Sequence, residues 1–269
     1  MGRMPAVAAC SLQLSRGLSG GHCPGLSSPV GGTSTPRLIR VAVSGLVFDA
    51  GDVLYDATVW QRWLLRILAR IGLRTQYEPF YEVWNREYLD DVCRGRWAMW
   101  DAFRVFLRAS GLTSGQIGEV LAASQPRWAQ LEQSVRPLPG VPATLARLSA
   151  MGTRMIVLSH APESAEELAQ KLTRLGIRRS LQAVVSAADL GSAAPDLLGF
   201  RAAAGALGLA PQEVAFVGHC ATELNSAARL GMVTIGCNHQ PHVAVDVALD
   251  RLDQLPHVVT PPARHVQAA

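Results

Sequence analysis

Short apolar runs alternate with helical segments along most of this 269-residue chain, and this alternation constrains its fold more than any other feature. Runs of strand type lie at Val41–Phe48, Met155–Leu158, Leu181–Val185, Val214–Val217 and Val233–Ile235. Helical periodicity covers residues 141–151, 163–175, 197–207 and 223–230. Strands that alternate with helices are typical of a parallel sheet with helices on both faces. The sequence therefore predicts an α/β fold built on a Rossmann-like parallel sheet.

The region between the first two runs contains only helical patterns. From about residue 57 to residue 135, aromatic and aliphatic residues recur at helical spacing, which indicates that most of the tryptophans pack in a core. The block ends at the turn-forming sequence Arg136–Gly140, which would return the chain to the sheet. We therefore predict a core domain of residues 38–57 and 136–258, with an all-helical domain of residues 58–135 inserted into it.

The two ends of the chain lack this periodicity. Residues 1–37 are rich in serine, glycine and proline, and no acidic residue precedes Asp49, so we expect a disordered N-terminal segment. We also expect a flexible tail at residues 259–269. The N-terminal segment has the arginine and serine content of a transit peptide but lacks the apolar core of a secretory signal. We expect a cytoplasmic location, with organelle targeting as the alternative.

Composition argues against several classes of protein. No apolar run reaches the roughly 18 residues that a membrane span needs. The formal charge is +4, but the basic residues are scattered, so we expect no nucleic-acid partner. Five cysteines without a CxxC pair argue against a disulfide framework and a zinc knuckle. Lys171, the only lysine, lies on the polar face of a predicted helix and is expected to be a surface charge. Oligomeric state is left open.

Polar residues follow three of the predicted strands. Asp49 ends the first run and Gly51 opens the turn after it, while Ser159 and Gly218–His219 follow two later runs. The carboxyl ends of parallel strands share one edge of a sheet, which is where open α/β sheets bind ligands. Asp49 is therefore a candidate nucleophile or metal ligand.

A second metal hypothesis concerns histidine and cysteine residues, namely His160, Cys220, His239 and His242. His239 and His242 have nearly the spacing of ligands on one helix face, but Pro241 between them favours a loop. No third ligand is evident in the sequence, which therefore gives little support to a histidine metal site.

Several ordered motifs resemble those of the haloacid dehalogenase-like (HAD) hydrolases. They are Val47–Leu54, Leu138–Val141, Ile156–Ser159, Gly191–Asp196 with Phe200, and Val217–Gly218 followed by Ala227–Met232. The resemblance covers about residues 41–240, and the helical domain lies where this family inserts its cap. It implies a hydrolase that attacks a small anionic substrate through an aspartate and forms a covalent intermediate that water then cleaves.

The resemblance assigns roles to individual residues. It implies that Asp49 is the nucleophile and that Ser159 binds the transferred group, although a serine there could instead cap the next helix. The candidate substrate-binding residues are Gly51, Asp52, His160, Gly218 and His219. Phosphatases of this family hold Mg²⁺, and the candidate ligands here are Asp49 and Glu223. Glu223 could instead be a glutamate favoured by the dipole at a helix N-terminus.

Three positions depart from the phosphatase pattern. Gly51 stands where a second aspartate acts as general acid and base, Ala194 where a lysine neutralises the site, and His219 where an acidic residue holds Mg²⁺. Gly51 and Glu223 match the dehalogenases of the family, which need no metal. Two hypotheses follow: an active hydrolase of phosphatase or metal-free dehalogenase type, and a catalytically degenerate protein that binds a ligand or protein partner. An arginine or Lys171 within salt-bridge reach of Asp49 would favour the enzyme, whereas a site with no cation would favour the binding protein.

Overall fold

The computed structural model describes residues 40–191, 196–239 and 242–260, and six parallel strands form its main sheet. These strands are β2 (Gly45–Asp49), β3 (Arg154–Ser159), β4 (Ala183–Ser186), β5 (Val214–Gly218), β6 (Val233–Cys237) and β7 (Val247–Leu249). Their order across the sheet is β4-β3-β2-β5-β6-β7. The chain first adds β3 and β4 on one side of β2 and then crosses to add β5, β6 and β7 on the other side, so the order of strands reverses between β2 and β5 while all strands stay parallel.

Burial explains why these strands have apolar sequences. Every residue of β2 and of β5 is buried, because helices cover both faces of the sheet. A parallel sheet covered on both faces requires continuous apolar runs rather than alternating ones. The predicted α/β fold with a Rossmann-like parallel sheet is confirmed.

Two predicted strand boundaries are wrong, and two short strands were not predicted. The first run is interrupted, and its start forms a separate strand, β1 (Val41–Ala42), which pairs with β8 (Val259–Thr260) in a two-stranded sheet. The first two residues of the predicted tail therefore form a strand, and Val259 is buried against the core. The run predicted from Leu181 becomes a strand only at Ala183. Strands of two or three residues, such as β7 and β8, are too short to produce a periodic pattern.

The inserted region consists of helices, with no strand between Val59 and Ser134. They are α1 (Val59–Arg70), α2 (Tyr77–Trp84), a π-helix (Asn85–Leu89), α3 (Asp90–Cys93), α4 (Met99–Ala109) and α5 (Ser114–Ser134). They share a hydrophobic cluster of their own, in which the rings of Trp60 and Phe103 make an edge contact at 5.4 Å. Most of the tryptophans pack against this cluster, as predicted, whereas Trp97 is 40% exposed. We refer to this helical region as the cap.

Two layers of helices cover the sheet. The helices after the cap are α6 (Val141–Ala150), α7 (Ala165–Arg174), α8 (Leu197–Ala206), α9 (Ala221–Arg229) and the short α10 (Leu255–Val258). Leu46 and Phe48 of β2 pack in the same cluster as α6 and α7, whereas Val47 packs in the cluster with α8 and α9. Side chains of a strand alternate between its faces, so β2 contributes to both layers. Among the described residues, no helix is both long and apolar enough to cross a bilayer.

Candidate active site

Asp49 lies at the centre of the carboxyl edge of the sheet. It is the last residue of β2 and is level with Leu158 on β3, so Ser159 follows one residue further along that edge. On the other side of β2, strand β5 ends at Gly218 and leads directly to His219. Asp49 is only 6% exposed. The predicted strand-end residues therefore meet between β2 and β5, where the order of strands reverses. This position is the usual place for a ligand site in a parallel α/β sheet.

His219 contacts the carboxylate of Asp49 directly. Its Nδ1 lies 2.8 Å from Oδ2 of Asp49, and its Nε2 lies 4.0 Å from Oδ2 of Asp52. The His219 side chain is 32% exposed, whereas that of Asp49 is 8% exposed. The imidazole thus stands between a buried carboxylate and a more accessible one, and it places a cation-forming group beside Asp49.

Glu223 and His160 form a second buried pair. Nδ1 of His160 lies 3.1 Å from Oε1 of Glu223, and both side chains are at most 10% exposed. The charge of Glu223 also acts on Asp49, and the second carboxylate oxygen of Glu223, Oε2, is buried without a hydrogen-bond partner among the described residues. The four side chains form one electrostatic cluster of two pairs, in which His219 is the most exposed member.

Burial and neighbouring charge determine the protonation of this cluster. Burial, reinforced by the charge of Glu223, raises the pKa of Asp49 to about 7. Burial alone would lower the pKa of His219, but its hydrogen bond to Asp49 and the nearby carboxylate charges outweigh that effect and raise the pKa to about 9. Between these values, the ionised Asp49 faces a protonated His219. Burial opposes ionisation of Glu223 as well, but the hydrogen bond and charge of His160 lower its pKa.

The loop after β2 is folded in a way that excludes a side chain at Gly51. A Cβ atom on Gly51 would lie 2.9 Å from Cβ of Ala57, closer than such atoms approach. Asp52 has a positive φ of 54°, its Oδ1 accepts a hydrogen bond from the Ala57 amide at 3.0 Å, and its carbonyl accepts one from Asn238 at 2.9 Å. The loop conformation is therefore adapted to glycine, and Asp52 partly serves to hold it.

Ser159 does not cap the following helix. Its hydroxyl oxygen accepts a hydrogen bond from the Ala161 amide at 3.1 Å, and its side chain is buried at the sheet edge. Helix α7 is capped by Ser164, which exchanges hydrogen bonds with Glu167 in a capping box. The helix-capping alternative for Ser159 is therefore wrong.

Glycine is required at Gly218 by its neighbour in the same strand. A Cβ atom there would come within 2.4 Å of the ring of Phe216. The backbone can therefore continue to His219 at the sheet edge only without a side chain at this position. Gly218 therefore contributes only its backbone atoms to the carboxyl edge of the sheet.

The side chains around Asp49 do not fit Mg²⁺. Mg²⁺ prefers oxygen ligands in octahedral geometry, but the carboxylates of Asp49 and Glu223 each already contact an imidazole nitrogen. The protonated imidazole of His219 would repel a cation from that position. Among the described residues, no group of three or more histidine, cysteine, aspartate or glutamate side chains is arranged to hold a metal ion. We therefore derive no chemical step through a metal.

Neither position considered for a lysine in the site provides a cation beside Asp49 among the described residues. Ala194, where the family has a lysine, lies outside the described residues. Lys171 is not a solvated surface charge, since its side chain is 14% exposed and its Nζ pairs with Glu163 at 2.6 Å and Glu132 at 3.1 Å. The cation that the structure places against Asp49 is instead His219.

Three features of the site were not anticipated from the sequence. They are the pairing of His160 with Glu223, the effect of the Glu223 charge on Asp49, and the support of the Asp52 loop by Asn238. These contacts join residues that are far apart in the chain. Only the position of His160 directly after a predicted strand end gave a signal that it could reach the site.

Comparison with known proteins finds similarity to haloacid dehalogenase-like hydrolases, to phosphatases and to a dehalogenase. The family model for haloacid dehalogenase-like hydrolases matches residues 43–231. The glyceraldehyde 3-phosphate phosphatases of Methanocaldococcus jannaschii and Methanopyrus kandleri are 24% and 28% identical to this chain; each match spans 72% of the chain, and 84% and 83% of those proteins. The L-2-haloacid dehalogenase of Xanthobacter autotrophicus has a similar fold, with a TM-score of 0.57 and 20% identity over 80% of this chain and 97% of that one.

Proposed function

The chain belongs to the haloacid dehalogenase-like hydrolases, and on that basis we propose that it hydrolyses a small anionic substrate through nucleophilic attack by Asp49, without a divalent metal. The observation that carries this proposal is the 2.8 Å contact between Nδ1 of His219 and Oδ2 of Asp49. Through this contact, the protonated imidazole of His219 places a positive charge at the nucleophile. The family's lysine position, which would otherwise carry such a charge, is Ala194 in this sequence.

The proposed reaction has two steps. An oxygen of ionised Asp49 attacks the phosphorus or carbon of the substrate, the bond to the leaving group breaks, and the leaving group departs with the electron pair. Water then cleaves the aspartyl intermediate, and a carboxylate beside the intermediate accepts the proton of the water. Glu223 is a buried carboxylate whose charge acts on Asp49 and whose Oε2 has no hydrogen-bond partner among the described residues, so we assign this role to it.

His219 and Ser159 have supporting roles in this proposal. The protonated imidazole of His219 reduces the charge repulsion between Asp49 and an approaching anion, which is a large effect in a site shielded from water. Its Nε2 faces the more exposed side of the site, near Asp52, and can donate a hydrogen bond to the substrate. To the hydroxyl of Ser159, at the neighbouring strand end, we assign the role of donating a hydrogen bond to an oxygen of the transferred group.

Two kinds of leaving group remain in consideration. The two relatives found by sequence are phosphatases, which supports a small phosphorylated substrate. The absence of a carboxylate at Gly51, which would protonate an alcohol leaving group, supports a substrate whose leaving group needs no proton, such as a halide.

Product release and isotope incorporation test the proposal. Phosphate release from glyceraldehyde 3-phosphate and p-nitrophenyl phosphate, and chloride release from 2-chloropropionate, are measured with excess EDTA present. We expect turnover by the wild type and by Asp101→Asn, which alters an exposed cap carboxylate, but not by Asp49→Asn. A single turnover in H₂¹⁸O should place ¹⁸O in phosphate if phosphorus is attacked, or in Asp49 if carbon is attacked. Equal rates for the wild type and Asp49→Asn would refute the proposal.

A second candidate function is anion binding without turnover. It is favoured by the pKa of Asp49, which at about 7 leaves the group substantially protonated at neutral pH. Isothermal titration with inorganic phosphate and with 2-chloropropionate distinguishes the two functions. Binding that survives in Asp49→Asn, together with no release of product by the wild type, would favour the binding protein.

A further inference from the structure

Lys171, the only lysine of the chain, lies between the cap and the core. Its Nζ is 2.6 Å from Oε2 of Glu163, which precedes α7 of the core, and 3.1 Å from Oε2 of Glu132, near the end of α5 in the cap. The Lys171 side chain is only 14% exposed. One buried cation therefore joins two carboxylates that belong to different parts of the protein.

A second cation of α7 holds the same end of the cap helix. Nη2 of Arg174, one turn after Lys171, donates a hydrogen bond to the backbone carbonyl of Glu132 at 3.1 Å. The last carbonyls of a helix carry partial negative charge, and positive side chains stabilise that end. The C-terminal end of α5 is thus bound through both its side chain and its backbone.

Tyr55 connects Lys171 to the loop that follows the nucleophile. The Tyr55 hydroxyl donates to Oε1 of Glu163 at 3.4 Å, and Nζ of Lys171 lies 5.3 Å from the centroid of the Tyr55 ring. The Tyr55 side chain is buried, and its carbonyl accepts a hydrogen bond from the Asp52 amide at 2.8 Å. The charge of Asp49 also contributes to raising the pKa of Tyr55, after the larger effects of burial and of Glu163.

These contacts form one path, from the cap through Lys171 and Tyr55 to the loop beside Asp49. We infer that Lys171 is a positioning residue, which holds the end of α5 and the loop of residues 50–57 in a single arrangement. The reason is electrostatic. Without the ammonium group, the carboxylates of Glu132 and Glu163 would be left close together and partly buried, and relief of their repulsion would separate the cap helix from the core.

Hydrogen exchange of the full-length protein tests this inference without requiring turnover. Lys171→Met removes the charge, Lys171→Arg keeps it, and Arg127→Met removes an exposed cap cation as a matched control. In Lys171→Met, we expect the amides of Asp52, Leu54 and Ala57, and those at the end of α5, to exchange about tenfold faster or more. Lys171→Arg and Arg127→Met should keep the wild-type rates there, and residues 154–159 of β3 should be unaffected in all three variants.

Several outcomes would overturn the inference. They are unchanged exchange at residues 50–57 in Lys171→Met, equal acceleration of every segment, and acceleration in Lys171→Arg as large as in Lys171→Met. Should Lys171→Met fail to fold, Glu132→Gln removes only the cap side of the ion pairs. In that variant, acceleration at residues 50–57 supports the inference, and unchanged exchange there contradicts it. Because exchange is measured without substrate, its result is independent of whether the proposed hydrolysis occurs.

Discussion

Replacing His219 by glutamine tests the electrostatic basis of the site. Glutamine keeps a hydrogen-bonding side chain of similar size but cannot carry a positive charge. In the wild type, both the hydrogen bond and the charge of His219 lower the pKa of Asp49, against the larger effect of burial. The pKa of Asp49 should therefore rise above about 7 in His219→Gln.

The size of the effect follows from this pKa. At about pH 7.5, a carboxyl with a pKa of about 7 is roughly three-quarters ionised, and a rise of about 1 to 3 units, typical for loss of a nearby opposite charge, leaves about one quarter to under about 1%. The rate should therefore fall by about threefold to about two hundredfold from ionisation alone. Loss of charge stabilisation in the transition state would add to this decrease.

The pH dependence of kcat/KM measures the effect. In the wild type, activity should rise as Asp49 ionises through about pH 7 and fall as His219 loses its proton through about pH 9. His219→Gln should lack the alkaline decrease, and its acid limb should move to higher pH. His257→Gln, an exposed histidine outside the site, should behave as the wild type.

A spectroscopic measurement makes the result independent of activity. NMR titration of protein labelled with ¹³C at the aspartate carboxyls follows Asp49 directly, and Asp49→Asn identifies its signal. An Asp49 pKa that is the same in His219→Gln as in the wild type would refute the reasoning, as would an unshifted acid limb.

Three further predictions concern the loop, the cofactor and the cap. Gly51→Asp introduces the carboxylate found in phosphatases, but it should lower the Tm and give no gain in phosphate release, because the new Cβ would collide with Cβ of Ala57. Gly51→Asp combined with Ala57→Gly should recover the Tm. A Gly51→Asp variant more active than the wild type would contradict this prediction. MgCl₂ or EDTA should leave kcat/KM unchanged, and activity that requires the metal would contradict the donor geometry. Phe103→Ala should destabilise the protein by about 3–5 kcal/mol in urea unfolding, since this ring is fully buried among cap helices; a loss under about 1 kcal/mol would contradict that packing.

The main sheet could be predicted because its information is local. A strand buried on both faces must be a continuous apolar run, so β2, β3, β5 and β6 are visible in the sequence. The end of each strand is also visible in the sequence, where the apolar run stops. Asp49 and Ser159 could therefore be placed at one edge of the sheet. The separation of β1 from β2 and the strands β7 and β8 could not be predicted, because strands of two or three residues depend on pairing with distant segments rather than on a local pattern.

The partners of the charged side chains could not be predicted for a different reason. His219 and Asp49 are 170 residues apart, and His160 and Glu223 are 63 apart. Sequence periodicity gives the face on which a residue lies but not the side chain that it meets. Lys171 illustrates this limit: the polar face of its helix was expected to face solvent, but it faces a glutamate of the cap.

By itself, the sequence determined the α/β architecture, the helical insertion, the family resemblance and the position of Asp49 at a strand end, since each is encoded in contiguous residues. Only the tertiary structure decided which charges neutralise one another. It places His219 against Asp49, Glu223 against His160, and Lys171 between cap and core. The physical reason is that a buried charge requires a partner, and the partner is selected by the packing of distant elements rather than by local sequence.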